Sequence, residues 1–189
     1  MLSIGGNVPM IADHTPQSGL KYLICLGIFM SGLLLTGCAS KPVLTGTVDF
    51  VAEGKLAVRD GSGSHSGNFR WQQSAEGYLV EVWGPLGQGR TQFSGNALEM
   101  TVSQGARLVA KGPPEDIMAA HVGWSVPVGL LPAWLRGDGV SEDLADIEAD
   151  GWWVSFSGFQ GEGARRSPRR IRATRGDKRI VVSIRQLIQ

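Results

Sequence analysis

The chain predicts a mainly β domain: an antiparallel meander that curls toward a barrel, takes in a helical insert and then returns to the sheet. Three observations predict it. Apolar and polar residues alternate with the period of a strand, turn residues recur at intervals of about 8–12 residues, and the alternation breaks once, at a run of prolines and acids.

Residues 1–37 have a different character. After a polar stretch, Lys21 opens an apolar run from Tyr22 to Leu35, 14 residues long. That is the length of a secretory signal core and short of the ~20 residues of a spanning helix. The run ends in Leu35-Thr36-Gly37-Cys38, which resembles the lipobox of bacterial lipoproteins. The resemblance implies cleavage after Gly37, a diacylglyceryl group on Cys38 and acylation of the new amine. Ala39 and Ser40 include no aspartate that would resemble an inner-membrane retention signal. The expected location is therefore the outer membrane, lipid-anchored and facing the periplasm. Residues 1–20 exceed what a signal start needs, and Met10 is a second candidate start.

Removing residues 1–37 from 189 leaves 152, enough for one domain with a core. The expected organisation is signal peptide 1–37, lipidated N-terminus and tether 38–53, and domain 54–189. Cys25 leaves with the signal, so no disulfide is available and stability must come from packing. With 18 Lys+Arg against 17 Asp+Glu, net charge selects no partner. A monomer is expected.

Lys41 to Ala52 read as a tether, because Pro42, Thr45, Gly46 and Thr47 interrupt any period, and Phe50 is the first expected contact with the domain. Strands are expected over 55–59, 68–72, 78–83, 90–94, 97–102 and 106–110, separated by Gly/Ser/Asn turns. Pro113-Pro114-Glu115-Asp116 starts a helix that Gly123 caps, with Ile117, Met118, Ala120 and His121 able to face inward. A second short helix covers 130–136 with Gly137 after it. Strands resume over 152–157, 169–174 and 180–185, and the acidic run Glu142, Asp143, Asp146, Glu148 and Asp150 reads as a solvated linker.

Two features stand out from this frame. Trp83-Gly84-Pro85-Leu86-Gly87-Gln88-Gly89-Arg90 joins two strands through a turn in which Pro85 presets one corner and glycines supply the rest. Leu86 sits at its tip, held outward or folded back on the hairpin. The second feature is the inward set Trp71, Val80, Val82, Phe93, Leu98, Met100, Val102, Leu108, Trp152, Val154 and Phe156, continued by Ile180, Val182 and Ile184. Small barrels with such residues either fill with side chains or enclose a cavity, and the pattern fits both.

No catalytic constellation emerges. The two histidines after the signal, His65 in a Ser/Gly loop and His121 in the first helix, lack metal-ligand spacing, and no nucleotide, dinucleotide or nucleophile-elbow motif is present. Neither an enzyme nor a cofactor or metal site is expected. Asp60-Gly61-Ser62-Gly63-Ser64 reads as a hairpin loop rather than a calcium loop. Near the C-terminus arginines cluster, Arg165 among them, and alternation puts Arg170, Arg172 and Arg185 opposite their apolar neighbours. They form a solvated face, or a docking surface for an acidic partner or anionic headgroups. Nucleic acid is not an expected partner outside the cytoplasm.

Taken together these stretches resemble the LolB family. The residues that carry the resemblance are the lipobox at Cys38, Gly54-Lys55-Leu56-Ala57-Val58, Phe69-Arg70-Trp71 and Gly84-Pro85-Leu86-Gly87. Val126-Pro127-Val128 with Leu131, Trp134, Leu135 and Gly137, then Gly151-Trp152 and Pro168-Arg169-Arg170-Ile171, complete them. The resemblance implies an unclosed antiparallel β-barrel covered by short helices around an apolar cavity. It implies that the protein accepts acylated lipoprotein cargo from a periplasmic carrier of the LolA type and inserts it into the inner leaflet of the outer membrane, with Leu86 as the inserting residue. Expected cavity residues are Trp71, Val80, Val82, Phe93, Met100, Leu108, Trp134, Trp152 and Phe156. Expected carrier-docking residues, ringing the mouth, are Arg170, Arg172 and Arg185. Cys38 to Gly54 leave little room for the N-terminal helix usual in the family. The alternative is a structural or assembly lipoprotein with a filled core that binds protein partners.

Overall fold

The computed structural model describes residues 44–141, 143–163 and 166–189. Cys38, the signal segment, Glu142 and Arg165 lie outside the described residues. The elements in chain order are β1 (Val48–Asp60), β2 (Gly63–Ser74), β3 (Tyr78–Trp83), β4 (Thr91–Gly95), β5 (Met100–Gln104) and β6 (Arg107–Gly112). Then come α1 (Pro114–Val122), α2 (Leu131–Arg136), β7 (Asp146–Ala149), β8 (Trp152–Ser157), β9 (Arg170–Arg175) and β10 (Lys178–Ile188).

All ten strands join one sheet in the order β6-β5-β4-β3-β2-β1-β10-β9-β8-β7, and every pairing is antiparallel. Two meanders meet at β1 and β10, and β6 and β7 are left as free edges. The barrel is therefore unclosed, as the family resemblance implied. The two helices fall in the single connection between those edges.

The spine is the pairing of β1 with β2 and β10. Along β1, Phe50 and Ala52 are buried and Leu56 and Val58 half-buried on the inner face, while Lys55 and Arg59 are exposed on the outer one. At Gly54 the register with β10 shifts, and a Cβ there would lie 2.0 Å from the Ser183 carbonyl oxygen and 3.0 Å from the Phe69 ring. Only glycine lets the strands approach so closely at this bulge.

Several expectations are corrected. The segment read as a tether up to Ala52 is already strand from Val48, because Phe50 and Ala52 sit in the core. The Ser/Gly loop holding His65 is strand too. The turn is confined to Gly61 and Ser62, where Asp60 Oδ1 accepts hydrogen bonds from the Ser62 N–H at 2.8 Å and the Gly63 N–H at 3.2 Å. Polar residues 63–68 lack apolar alternation yet pair along the whole ladder from Asp60 to Lys55. Part of the acidic linker is β7, with Asp146 and Glu148 outward and Ile147 inward against Val154.

Leu98 and Leu108, expected inside, are exposed at 83% and 60%. Asn96 Oδ1 accepts from the Leu98 and Glu99 N–H groups, so the chain is still turning at Leu98 and β5 starts at Met100. Leu108 is turned out by a bulge: Val102 pairs with Ala110 but the next residue, Ser103, pairs with Leu108. One inserted residue reverses the face of everything before it.

The helices follow their signals. Pro114 is the first residue of α1, and Gly123 ends it at φ 83°. Ile117 is buried against the sheet while Ala120 and His121 are exposed. Gly137, at φ 76°, closes α2 by donating its N–H to the Ala133 carbonyl at 2.9 Å, with Trp134 and Leu135 buried.

Candidate functional site

The β3–β4 connection is built as the sequence suggested. Gly87 N–H donates to the Gly84 carbonyl at 3.0 Å, closing a turn with Pro85 and Leu86 at its centre, and Gly84 N–H donates to the Gln88 carbonyl at 2.8 Å. Gln88 Oε1 accepts from the Leu86 N–H at 2.9 Å. Gly87 and Gly89 take φ of 83° and 64°, which side chains resist. At the base the Arg90 guanidinium lies 4.4 Å over the Trp83 ring and pairs with Glu81 at 3.2 Å. These contacts hold the loop, and Leu86 is left 92% exposed at its tip.

Beneath the loop, the concave face of β1 to β5 and the helical insert enclose an apolar cavity of about 590 Å³. Trp71, Val80, Val82, Phe93 and Met100 line it, as expected from the sequence. Its other walls include Val126, Val128, Leu131 and Leu135 from the insert, Leu56, Val58 and Tyr78 from β1 and β3, and Ile180 and Val182 from β10. Trp83, Gly84 and Gly89 also line it, so the cavity runs to the root of the loop that carries Leu86.

Four expected cavity residues lie elsewhere. Leu108 faces solvent for the reason given above. Trp134, Trp152 and Phe156 do not line the cavity: all three are buried, Trp152 and Phe156 on β8 among Val154, Ile171 and Ala173 of β8 and β9. The Trp124 and Trp152 rings meet there at 5.5 Å, and Arg175 lies 4.6 Å over Trp152. The molecule thus combines both alternatives left open by the sequence, a filled half and a hollow half.

The segment 123–128 that roofs the cavity is tied to the sheet by polar contacts. Trp124 Nε1 donates to Asp60 Oδ2 at 3.1 Å, and Arg175 donates to the Ser125 carbonyl at 3.0 Å. The hydroxyl and N–H of Ser62, with help from Gly63 and Trp124, hold the Asp60 carboxyl below the usual carboxylate range. Asp60 thus serves as hairpin cap and roof tether rather than as a calcium ligand. Inside the cavity wall, burial pushes the Tyr78 hydroxyl up to about 12, and among the described residues it has no hydrogen-bond partner.

Arg170, Arg172 and Arg185 do not ring the mouth. They alternate with the buried Ile171, Ala173 and Ile184 and stand exposed on the opposite face of the sheet. Among the described residues no group of three or more metal-ligating side chains comes together. Leu56, Val58 and Tyr78 were legible as alternating residues on the inner face. Met118 and His121 of α1 line the cavity, as the inward face expected of that helix has it, while Ala120 of the same face is exposed.

Residues 48–186 match the protein family described as Outer membrane lipoprotein LolB. The outer-membrane lipoprotein LolB of Chromohalobacter salexigens is 31% identical over 144 residues, covering 70% of this chain and 67% of that protein. The LolB of Stutzerimonas stutzeri is 32% identical over 146 residues, covering 70% of each. Among solved structures, a LolA superfamily protein from Nitrosomonas europaea aligns with a TM-score of 0.45 at 7% identity, over 76% of this chain and 86% of that one.

Proposed function

The chain belongs to the LolB family of outer-membrane lipoproteins, and on that premise we propose that it is anchored to the outer membrane through Cys38 and receives acylated lipoproteins there. A LolA-type carrier delivers the cargo, the acyl chains enter the apolar cavity, and Leu86 opens the path into the inner leaflet. One observation carries this reading above the others. The cavity that would hold the chains reaches Trp83, Gly84 and Gly89, the residues that frame the loop with the exposed leucine.

The energetics require such a path. Three acyl chains of roughly 15 methylenes each, at ~0.8 kcal/mol per methylene, would cost on the order of 30 kcal/mol to carry through water. A wall of valine, leucine, phenylalanine and tryptophan side chains removes most of that cost without specific recognition of any one chain. Transfer then proceeds from the weaker to the stronger apolar site and on to the bilayer, by difference in affinity. The alternative of an assembly lipoprotein with a filled interior fits the β8–β9 part of the sheet only.

Transfer of a radiolabelled, acylated lipoprotein from a purified LolA-type carrier to the purified protein tests the proposal. The label is expected to move without ATP and to co-purify with the acceptor. If the label remains on the carrier while the acceptor is folded, the receptor reading fails and the assembly reading replaces it.

A further inference from the structure

The outer face of the sheet, away from the cavity, is strongly basic across its centre. Lys55 and Arg59 on β1, Arg179 on β10, and Arg170 and Arg172 on β9 are all exposed there. Register sets them in rows: Lys55 lies beside Ser183 and Ser183 beside Arg170, while Arg59 lies beside Arg179. Lys55 and Arg170 are thus two strand spacings apart, about 10 Å. Among the described residues, no carboxylate forms an ion pair with any of these five cations. Held this close and unneutralised, they create a positive potential that attracts an anionic surface.

Two further features say which anionic surface. Trp153 on β8 is 54% exposed on the same face, in the row of Thr174 and Arg179. Its direct neighbours are Thr174 and, on β7, Glu148, with Arg172 diagonally across on β9; a tryptophan at the edge of a cationic patch suits a bilayer interface, where the ring lies among headgroups and the cations meet phosphate. The same face also carries a groove of about 280 Å³ between Lys55 and Pro85, floored by Ala57, Ser66, Gly67 and Ser183. Pro85 is the residue before Leu86, so the groove opens at the root of the loop tip. Asp146 and Glu148 on β7 bound the patch, which therefore spans β1, β10, β9 and β8.

We propose that this outer face is a docking surface for a bilayer bearing anionic phospholipid headgroups. Lys55, Arg170 and Arg172 meet the phosphates, Trp153 enters the interface, and the docked face brings Leu86 to the membrane. The cavity, on the other side of the sheet, stays open to the carrier. The lipid anchor then sets reach, and the basic face sets orientation. This inference rests on the reading of Leu86 as the membrane-facing tip. An acidic protein would meet the same cations, but not at a face whose groove ends on that loop.

The test uses the mature, acylated protein reconstituted in vesicles of phosphatidylcholine alone or mixed with phosphatidylglycerol. A polarity-sensitive dye is placed on Ser157→Cys, which lies beside Arg170 on the outer face, and in a separate preparation on Leu86→Cys. The Ser157 dye is expected to shift to the blue in anionic vesicles only, and to lose the shift at ~1 M salt, where the screening length falls to about 3 Å. Reversing Lys55, Arg170 and Arg172 to glutamate is expected to lower the ratio of docked to free face roughly fivefold per cation, at least a hundredfold in all. Equal emission in neutral and anionic vesicles, or full docking by the triple variant, overturns the proposal. So does a shift that needs an acidic protein rather than lipid. The salt arm needs no variant and stands if the triple variant misfolds. The Leu86 dye separates the two readings: if it stays in water while the Ser157 dye responds, docking stands and the insertion role fails. The reverse pattern sinks docking alone.

Discussion

Replacing Leu86 by glutamate removes the apolar tip of the β3–β4 loop without touching anything that folds the loop. The side chain is 92% exposed, and the hydrogen bonds that shape the turn are made by its own backbone N–H and by Gly84, Gly87 and Gln88. Substitutions at such positions stay within about 0.5 kcal/mol of the parent stability. What the leucine can contribute is therefore almost wholly reserved for another phase. Burial of a leucine side chain in an apolar medium is worth about 1.5–3 kcal/mol. At 1.4 kcal/mol per factor of ten, loss of about 2 kcal/mol slows a step that depends on it roughly 30-fold. A carboxylate that resists entry into the bilayer adds to this.

The assay must separate receipt from delivery. Acylated cargo is loaded on the carrier, mixed with the purified protein, and recovered by pull-down to measure receipt. Vesicles are then added and floated to measure delivery. Leu86→Glu is expected to receive cargo as the parent does and to deliver it about 30-fold more slowly or worse, with the thermal midpoint unchanged. Leu86→Phe, which keeps an apolar tip, is expected to deliver. Delivery by the glutamate variant at the parent rate would refute the role of the tip. Loss of receipt would refute the separation of the cavity from the loop.

Other consequences follow from the cavity and its roof. Val82→Trp sends an indole into the 590 Å³ void, so it is expected to abolish binding of a fluorescent fatty-acid analogue at less than the ~1–3 kcal/mol cost of overpacking a filled core; a larger loss of stability in urea would show that the space is not free. Tyr78→Phe removes a buried hydroxyl without a described partner and is expected to raise stability by about 1 kcal/mol. Because the hydroxyl is raised to about 12 in the fold from ~10 in the unfolded chain, its contribution is intact below pH ~10 and lost as pH rises through 12. The phenylalanine variant should lack that part of the alkaline loss in a pH titration of unfolding. Asp60 has the opposite sign: its carboxyl is lowered in the fold, so its contribution holds above the usual carboxylate value and disappears as pH falls through the folded one. Asp60→Ala is expected to speed hydrogen exchange of the Trp124 indole and of residues 125–128 while leaving β9 unaffected; unaltered exchange would free the roof from this tether.

How far the fold was legible depended on how locally each feature is determined. Helix ends were readable because Pro114, Gly123 and Gly137 act within one turn of themselves. The loop around Leu86 was readable for the same reason. The polar half of β2 was not, since residues 63–68 become strand only by pairing with β1, whose apolar inner face makes the ladder worth forming. Leu108 shows the converse failure. Its alternation with Ala110 was real, but a single bulge opposite Ser103 reversed it, and no local signal marks the inserted residue. Arg170 and Arg172 were placed opposite their apolar neighbours by alternation, and a ring around the mouth does not follow from that, because the cavity lies on the apolar side of the sheet.

The hollow itself was beyond any single strand's pattern. Inward residues of β3, β5, β8 and β9 are equally apolar, and a strand carries the same alternation whether its neighbours leave space or fill it. What differs is which side chains the insert lays over each part. Trp124 goes to the β8–β9 side, where its ring meets that of Trp152 at 5.5 Å. Val126, Val128 and Leu131 line the hollow on the β2–β5 side. Trp124 is also held by a hydrogen bond to Asp60, 64 residues away in the chain, a contact that no local pattern announces. The filled and the hollow part are thus told apart by which residues of 124–134 meet each, Trp124 at Trp152 and Val126, Val128 and Leu131 at the cavity, and no strand's alternation carries that.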